Sequence, residues 1–261
     1  MTSLISCGLA REVEDISAAI RAEPLLASHR LALARLKLVQ GEYPKALQQL
    51  QLACQFDAGL EAEAQLVRML VRTEQTREAV LDGKILPDLL ATAPAWLEKL
   101  IGALRENDEQ TAATMRQEAL SEAPPSKGCY GEPEPSPFEW IADGDERLGP
   151  VLEVILGGTY YWVPFDMVES LHIPAPKHAM ELVWAPADLK LLGYPASSIV
   201  YIPARYIPPK EGCTDAFLMG TETVWQALPG GGWRGNGRRT WYIDGEPLGM
   251  FEAARLSFDR S

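Results

Sequence analysis

One stretch of sequence decides how the chain is organised: residues 123–137, which read Ala-Pro-Pro-Ser-Lys-Gly-Cys-Tyr-Gly-Glu-Pro-Glu-Pro-Ser-Pro. Proline lacks a backbone amide donor and fixes φ, while glycine leaves the backbone unrestrained, so helices and central strands rarely accept this density of both residues. The stretch therefore predicts an extended linker over residues 124–137.

The composition changes across this linker. Four of the 20 prolines precede residue 124, whereas 18 of the 21 aromatic residues lie at or beyond Tyr130. Helices avoid proline, and aromatic side chains favour the pleated faces of sheets. The sequence predicts an α+β protein of two domains: a helical domain over residues 1–123 and a β-rich, mostly antiparallel domain with short helices over residues 138–261.

Charge and cysteine content narrow the class of partner and the compartment. The formal net charge of -12 argues against nucleic acid or an anionic membrane, both of which select clustered Lys and Arg. The four cysteines form no CxxC pair, which suits a reducing compartment. The first 15 residues lack a basic leader followed by a long apolar run, and no stretch is apolar for 18 residues. We expect a cytoplasmic protein.

The front half contains one repeat-like helix pair. Residues 25–56 follow the pattern helix, short turn, helix, with Gly41 as the expected C-terminal cap and Pro44 in the first turn of the second helix. Later helical stretches fit a repeat poorly, so a small bundle without a peptide groove stays open as the alternative. The tetratricopeptide-like spacing is carried by Gly41, Tyr43, Ala46, Leu50 and Ala53.

The back half changes to a period of two. Residues 151–156 and 159–163 flank Gly157-Gly158 and predict a hairpin with a tight turn. A short helix is expected over residues 165–171. Further strands are expected over residues 180–184, 198–202 and 224–228, with a final strand pair between residues 240 and 258.

Motifs that could carry chemistry favour structural interpretations. Gly230-Gly-Gly-Trp-Arg-Gly235 matches GxGxxG in form, but a strand-like segment follows where a dinucleotide site needs a helix, so we interpret it as a flexible hairpin loop. Asp143, Asp145 and Glu153 could serve as acid and base or hold a metal. We favour a structural role, in which one carboxylate pairs with Arg147 or Arg205 and another caps a turn. No catalytic residue, cofactor or metal is predicted.

A resemblance to a known family begins directly after the linker. Residues 138–153, FEWIADGDERLGPVLE, closely resemble the signature of the ImpE family, also called SciE or TagJ, whose members are accessory proteins of bacterial type VI secretion systems. Matching pieces follow in order, and the resemblance covers essentially the whole chain. They lie at residues 158–165, 183–187, 202–206, 223–225 and 235–239.

The resemblance implies a non-catalytic cytoplasmic factor. One expected partner is the small subunit of the contractile sheath, bound through the N-terminal helix of that subunit. The other is the ATPase that disassembles the sheath. Two alternatives stay open. One is a tetratricopeptide-like chaperone for a secreted client, and the other is a carboxylate- or metal-dependent enzyme using Asp143, Asp145 and Glu153.

The signature and its matching pieces supply the candidate structural or partner-binding residues. We expect Trp140, Asp143, Asp145 and Arg147 to fix the junction of the domains and the start of the sheet. Asp143→Ala should then destabilise the fold, whereas a variant that folds but loses its partner would indicate a binding surface. The candidates are Trp140, Asp143, Asp145, Arg147, Glu153, Trp162, Trp184, Arg205, Tyr206, Trp225 and Arg239.

Overall fold

The structure is a computed structural model, and it describes residues 8–259. Residues 1–7, which include Cys7 and the start of the segment tested for a leader, lie outside the described residues. Within residues 8–259, no helix is both long enough and apolar enough to cross a membrane.

The front half is helical as predicted. Its repeat-like pair is α2 and α3, and the turn between them closes as expected. Gly41 adopts a φ of 72°, its amide donates to the carbonyl of Leu38, and the Glu42 amide donates to the carbonyl of Lys37. This pair of bonds is a Schellman cap, which favours glycine at the left-handed position. The helices are α1 (Leu9–Ala22), α2 (Ala27–Val39), α3 (Tyr43–Phe56), α4 (Glu61–Leu81), α5 (Ala95–Arg105) and α6 (Glu109–Glu122).

The back half is rich in antiparallel strands, and the α+β class is confirmed. An eight-stranded sheet has the order β2-β1-β13-β6-β7-β8-β4-β5, beside a β9–β10 hairpin and a three-stranded sheet, β12-β11-β3. The elements are β1 (Gly128–Tyr130), β2 (Ser136–Phe138), β3 (Ile141–Asp143), β4 (Val151–Leu156), β5 (Thr159–Pro164), β6 (Val168–His172), β7 (Trp184–Leu191), β8 (Ser198–Pro203), α7 (Asp215–Met219), β9 (Thr223–Ala227), β10 (Trp233–Gly237), β11 (Thr240–Ile243), β12 (Glu246–Gly249) and β13 (Arg255–Phe258).

The stretch expected as an extended linker contains strand structure. β1 lies inside the large sheet, between β2 and β13, and β2 forms its edge. The prolines avoid β1: Pro133 and Pro135 lie in the connection to β2, and Pro137 lies in the edge strand itself. Proline is tolerated at an edge because a ladder bond is needed on one side alone. The segment therefore holds part of the sheet together.

Two local expectations were wrong and four were confirmed. Residues 165–171 form a short 3-10 helix and then β6, while residues 179–182 form a 3-10 helix before β7 begins at Trp184. Short apolar runs do not distinguish helix from strand by periodicity, which explains both errors. Four predicted features are present: the hairpin around Gly157-Gly158, the strand at residues 198–203, the strand β9 and the final β11–β12 pair.

One of two hydrophobic clusters is shared by the two halves, while the buried residues of the other all lie in the back half. The shared cluster joins buried residues of α2, α4 and α5 to buried residues of β4, β5 and β7. The loop after α4 also covers the outer edge of β5, where the Trp162 amide donates to the Asp88 carbonyl at 3.0 Å. Covering an edge strand blocks pairing with other chains. The division into two domains stays a prediction, since the halves interlock through this core.

Candidate functional site

The signature segment folds into a tight turn between β3 and β4. The Asp143 carboxylate accepts the backbone amide of Asp145 at 2.8 Å, and the Asp145 carboxylate accepts the amide of Arg147 at 3.1 Å. Short polar side chains commonly hold turns by such bonds to the backbone two residues on. Arg147 also pairs with Asp145, with Nη2 2.6 Å from Oδ2. One carboxylate thus caps the turn, and the expected aspartate–arginine pair forms with Arg147.

Arg205, the other expected arginine partner, makes no ion pair with the signature. Its guanidinium donates to the carbonyl of Val39, at the end of α2, at 2.7 Å and to the carbonyl of Leu218. A guanidinium offers five donors in a fixed fork, so one buried arginine can satisfy several carbonyls. Arg205 therefore ties the back half to the last turns of α2 and α7.

Glu153 is the centre of a buried charge network. Arg77 of α4 donates to the Glu153 carboxylate from Nε at 2.8 Å and from Nη2 at 3.2 Å. Arg239 and the Tyr160 hydroxyl donate to the same carboxylate. Arg77 also pairs with Glu74 at 2.8 Å, and Arg239 pairs with Asp143 at 2.7 Å. The ion pairs run from the helical half into the sheet.

The pKa values within this network follow from burial and from its arginines. Burial acts to raise the pKa of Glu153, but Arg239 and Arg77 lower it to about 2. Burial raises the pKa of Asp143 to about 6, although Arg239 opposes the increase. Glu153 is thus a firmly ionised anion, and Asp143 titrates nearer neutrality.

This arrangement gives the enzyme alternative little support. The carboxylates of Asp143, Asp145 and Glu153 accept bonds from buried arginines, a tyrosine or backbone amides. A general base needs a free lone pair directed at a substrate. Across residues 8–259, no group of three or more His, Cys, Asp or Glu residues is arranged to hold a metal ion.

The predicted aromatic residues Trp162, Trp184 and Tyr206 join the same network. The Trp162 indole donates to the Tyr160 hydroxyl at 2.8 Å, and the Trp184 indole donates to Glu74 at 2.9 Å. The Tyr206 hydroxyl donates to Asp143 at 2.8 Å. Arg205 also belongs to the network, because its carbonyl accepts a bond from Arg77. Nine of the eleven predicted residues therefore lie in one connected layer.

Trp140 and Trp225, the other two predicted residues, line a pocket beside the signature. Trp140 is 39% exposed, and its expected part in fixing the junction stays a prediction. The pocket has a volume of about 560 Å³ and lies between the end of α6 and the β3–β4 turn. It is lined by Leu120, Ala123, Pro124, Pro125, Trp140, Ile141, Ala142, Asp143, Gly144, Glu146, Gly149, Pro150, Trp225, Trp233 and Tyr242.

Two glycines allow the pocket to form. A Cβ at Gly144 would lie 2.2 Å from Cη2 of Trp225, so the indole ring fits only against a glycine. A Cβ at Gly230 would lie 2.1 Å from the carbonyl oxygen of Glu109. The Arg116 guanidinium also donates to the carbonyl of Gly231. The glycine-rich loop is the β9–β10 connection, as expected, and it packs against α6.

Sequence reasoning missed Glu74 and Arg77, the contribution of the helical half to the network. One signal was present: both fall on the face of α4 that carries the buried residues Val67, Leu70 and Leu81. Two charges three residues apart on an apolar helical face suggest a buried ion pair. Trp233 and Glu146 of the pocket carried no comparable signal.

Comparison with solved structures identifies the fold. The crystal structure of protein VPA1032 from Vibrio parahaemolyticus superposes with a TM-score of 0.83. The match covers 97% of this chain and 94% of that chain at 22% identity. The helical half and the antiparallel sheet therefore define a known α+β fold shared across nearly the whole chain.

Sequence comparison then identifies the family. Residues 135–257 match the family model described as "ImpE protein". The type VI secretion system accessory component TagJ of Pseudomonas aeruginosa is 34% identical over 245 residues, which span 92% of this chain and 84% of that protein. The chain belongs to this family, ImpE or TagJ, as its signature indicates.

Proposed function

We propose that this protein is a non-catalytic accessory component of a bacterial type VI secretion system and acts in the cytoplasm by binding other proteins. The observation that carries the proposal is the 34% identity to TagJ over 92% of the chain. The carboxylates of Asp143, Asp145 and Glu153 are neutralised by arginines, which supports a binding role over catalysis by these three groups.

The proposed partner is the N-terminal helix of the small contractile-sheath subunit, and a second is the ATPase that disassembles the sheath. An amphipathic helix binds by laying its apolar face on an apolar surface. The helical half offers one such surface, which we call the α2–α3 patch: Leu25, Leu26 and Phe56. Leu25 is 72% exposed and Phe56 is 42% exposed.

Arg30 joins the parts of this patch. Its guanidinium carbon lies 5.6 Å from the centroid of the Phe56 ring, and its Nη2 donates to the Pro24 carbonyl. The turn before α2 and the end of α3 are thereby held beside each other. Large exposed apolar side chains grouped in this way are typical of protein-binding surfaces.

A pull-down with the small sheath subunit tests the proposal. We expect the full-length subunit to be captured and a subunit without its first helix to be lost. The double variant Leu26→Glu with Phe56→Glu should also lose the subunit, because two carboxylates would be buried in an apolar contact. Ile199→Glu, which changes an exposed side chain of the back half, is the matched control. Unchanged capture after helix deletion would contradict helix docking.

The chaperone alternative is favoured by the tetratricopeptide-like spacing, since Ala46 and Ala53 are fully buried in the α2–α3 pair. Capture of a secreted effector without capture of the sheath subunit would support it. For the enzyme alternative, the discriminating measurement is a melting scan with divalent ions, where no shift in Tm would leave it without support.

A further inference from the structure

The pocket beside the signature is lined by exposed and by partly buried aromatic rings. Trp233 is 51% exposed and Trp140 is 39% exposed. Trp225 and Tyr242 lie deeper, with ring centroids 5.9 Å apart, and Trp225 packs against Gly144. Large aromatic side chains are usually buried unless they contact a partner. Four of them around one opening indicate a binding site.

Glu146 gives this pocket its charge. The residue is half-buried, and burial raises the pKa of its carboxyl group while Arg116 acts to lower it. Within residues 8–259, its carboxylate forms no ion pair within 4.0 Å, although a hydrogen bond from the Trp233 backbone also acts to lower its pKa; Asp143 and Asp145, in contrast, are paired with Arg239 and Arg147. A half-buried carboxylate without an ion pair is stabilised by an incoming cation.

Aromatic rings and a carboxylate together select a particular kind of cation. A guanidinium is planar, stacks on aromatic faces, is weakly hydrated and can bond a carboxylate through two N–H groups. An ammonium is more strongly hydrated, so it loses more hydration free energy on entering an apolar pocket. The net charge of -12 also attracts basic segments.

We propose that this pocket binds an arginine side chain presented by a segment of a partner protein. Trp140, Trp225 and Trp233 surround the guanidinium, and Glu146 neutralises it. The volume of about 560 Å³ accommodates the side chain with part of the flanking backbone. This site is separate from the α2–α3 patch and does not depend on the sheath subunit being the partner.

Two tripeptides test the proposal with the full-length protein. Acetyl-Gly-Arg-Gly-amide is the probe, and acetyl-Gly-citrulline-Gly-amide is the neutral control of the same shape. Binding is followed by the indole N–H signals in NMR spectra, assigned with single Trp→Phe variants. We expect the arginine peptide to give saturable shifts of the Trp140, Trp225 and Trp233 signals, and to bind about tenfold more tightly than the citrulline peptide.

Variants separate the parts of the site. Glu146→Gln should weaken the arginine peptide about fivefold or more and leave the citrulline peptide unchanged. Glu246→Gln, an exposed glutamate at the start of β12, should change neither. Trp233→Ala serves as a second test, since removing an exposed ring leaves the core intact.

Several results would overturn the proposal. They are equal binding of the two tripeptides, absence of saturable shifts with the arginine peptide, or unchanged binding of the arginine peptide by Glu146→Gln. Each of these outcomes is independent of the sheath pull-down. Loss of arginine binding with intact sheath capture, or the reverse, distinguishes the pocket from the α2–α3 patch.

Discussion

At the scale of single residues, Arg77 connects the two halves. It bonds both carboxylate oxygens of Glu153 in the sheet and pairs with Glu74 on its own helix, and its side chain is almost wholly buried. A buried ion pair contributes little over apolar packing, but removing one partner leaves the others charged and desolvated. The cost of losing Arg77 is therefore high.

Arg77→Met is expected to lower the free energy of unfolding by about 3–5 kcal/mol, because Glu74 and Glu153 lose a buried cation. Urea denaturation measures the change. The matched control is Arg72→Met, an exposed arginine of the same helix, which should stay within about 0.5 kcal/mol of the parent protein. A loss at Arg77 no greater than that at Arg72 would contradict the network.

Asp143 gives the network a pH dependence. Burial raises its pKa to about 6 from an ordinary value of 3.8, so as the pH falls the folded state takes up a proton before the unfolded state does. Its contribution to stability is full below the unfolded pKa and is lost as the pH rises through 6. Lowering the pH from 7 to 4 should therefore favour the folded state through this residue, by about 1–3 kcal/mol.

Asp143→Asn removes this titration while keeping an oxygen for Tyr206 and the Asp145 amide. Urea denaturation of both proteins between pH 4 and 7 isolates the effect as the difference between the two curves. The parent protein should gain stability relative to Asp143→Asn as the pH falls. A difference independent of pH would show that the pKa of Asp143 is the same in the folded and unfolded states, and a parent protein that gains stability relative to Asp143→Asn as the pH rises would show a lowered pKa; either result contradicts the prediction.

At the scale of elements, structure set by residues close together in the sequence could be predicted, whereas pairing between distant segments could not. The α2–α3 pair and the β4–β5 hairpin follow from Gly41, Pro44 and Gly157-Gly158, which act within a few residues. β1 was missed because the prolines around it hide its local pairing with β2, and because its other ladder is made with β13, far along the chain. A proline-rich segment shows its turns in its composition and gives no sign of a distant strand that pairs with it.

The same limit applies to the site. Asp145 pairs with Arg147 two residues away, and this pair could be predicted. Glu153 pairs with Arg77, which lies 76 residues away on a helix of the other half, so composition and spacing could not place it. The pocket needs α6, the β3–β4 turn and the β9–β10 hairpin together, and no single segment indicates it.

Substitution of Gly144 tests how closely the β3–β4 turn packs against the β9–β10 hairpin. In Gly144→Ala the new methyl group would lie 2.2 Å from Trp225 and 2.8 Å from Tyr242. We expect a loss of about 1–3 kcal/mol and an altered near-ultraviolet circular dichroism spectrum, since Trp225 must move. Gly102→Ala in α5 is the control, because its methyl group would meet only the flexible end of Met115 at 3.0 Å. Equal effects of the two substitutions would argue against tight packing at the turn.

At the scale of the whole molecule, the composition break and the shared core predict different unfolding behaviour. The break predicts two domains that could unfold separately. The core, however, joins α2, α4 and α5 to β4, β5 and β7, and the ion pairs of Arg77 cross the same boundary. Losing either half would expose both an apolar face and unpaired buried charges of the other.

The halves are therefore expected to unfold in one cooperative step. Far-ultraviolet circular dichroism follows mainly the helices, while tryptophan fluorescence follows mainly the back half, which holds six of the seven tryptophans. Both signals should give the same urea midpoint, as for a two-state transition. If the helical signal falls at a lower urea concentration than the fluorescence, the shared core does not couple the halves, and the boundary near residues 124–137 separates two independently folding domains.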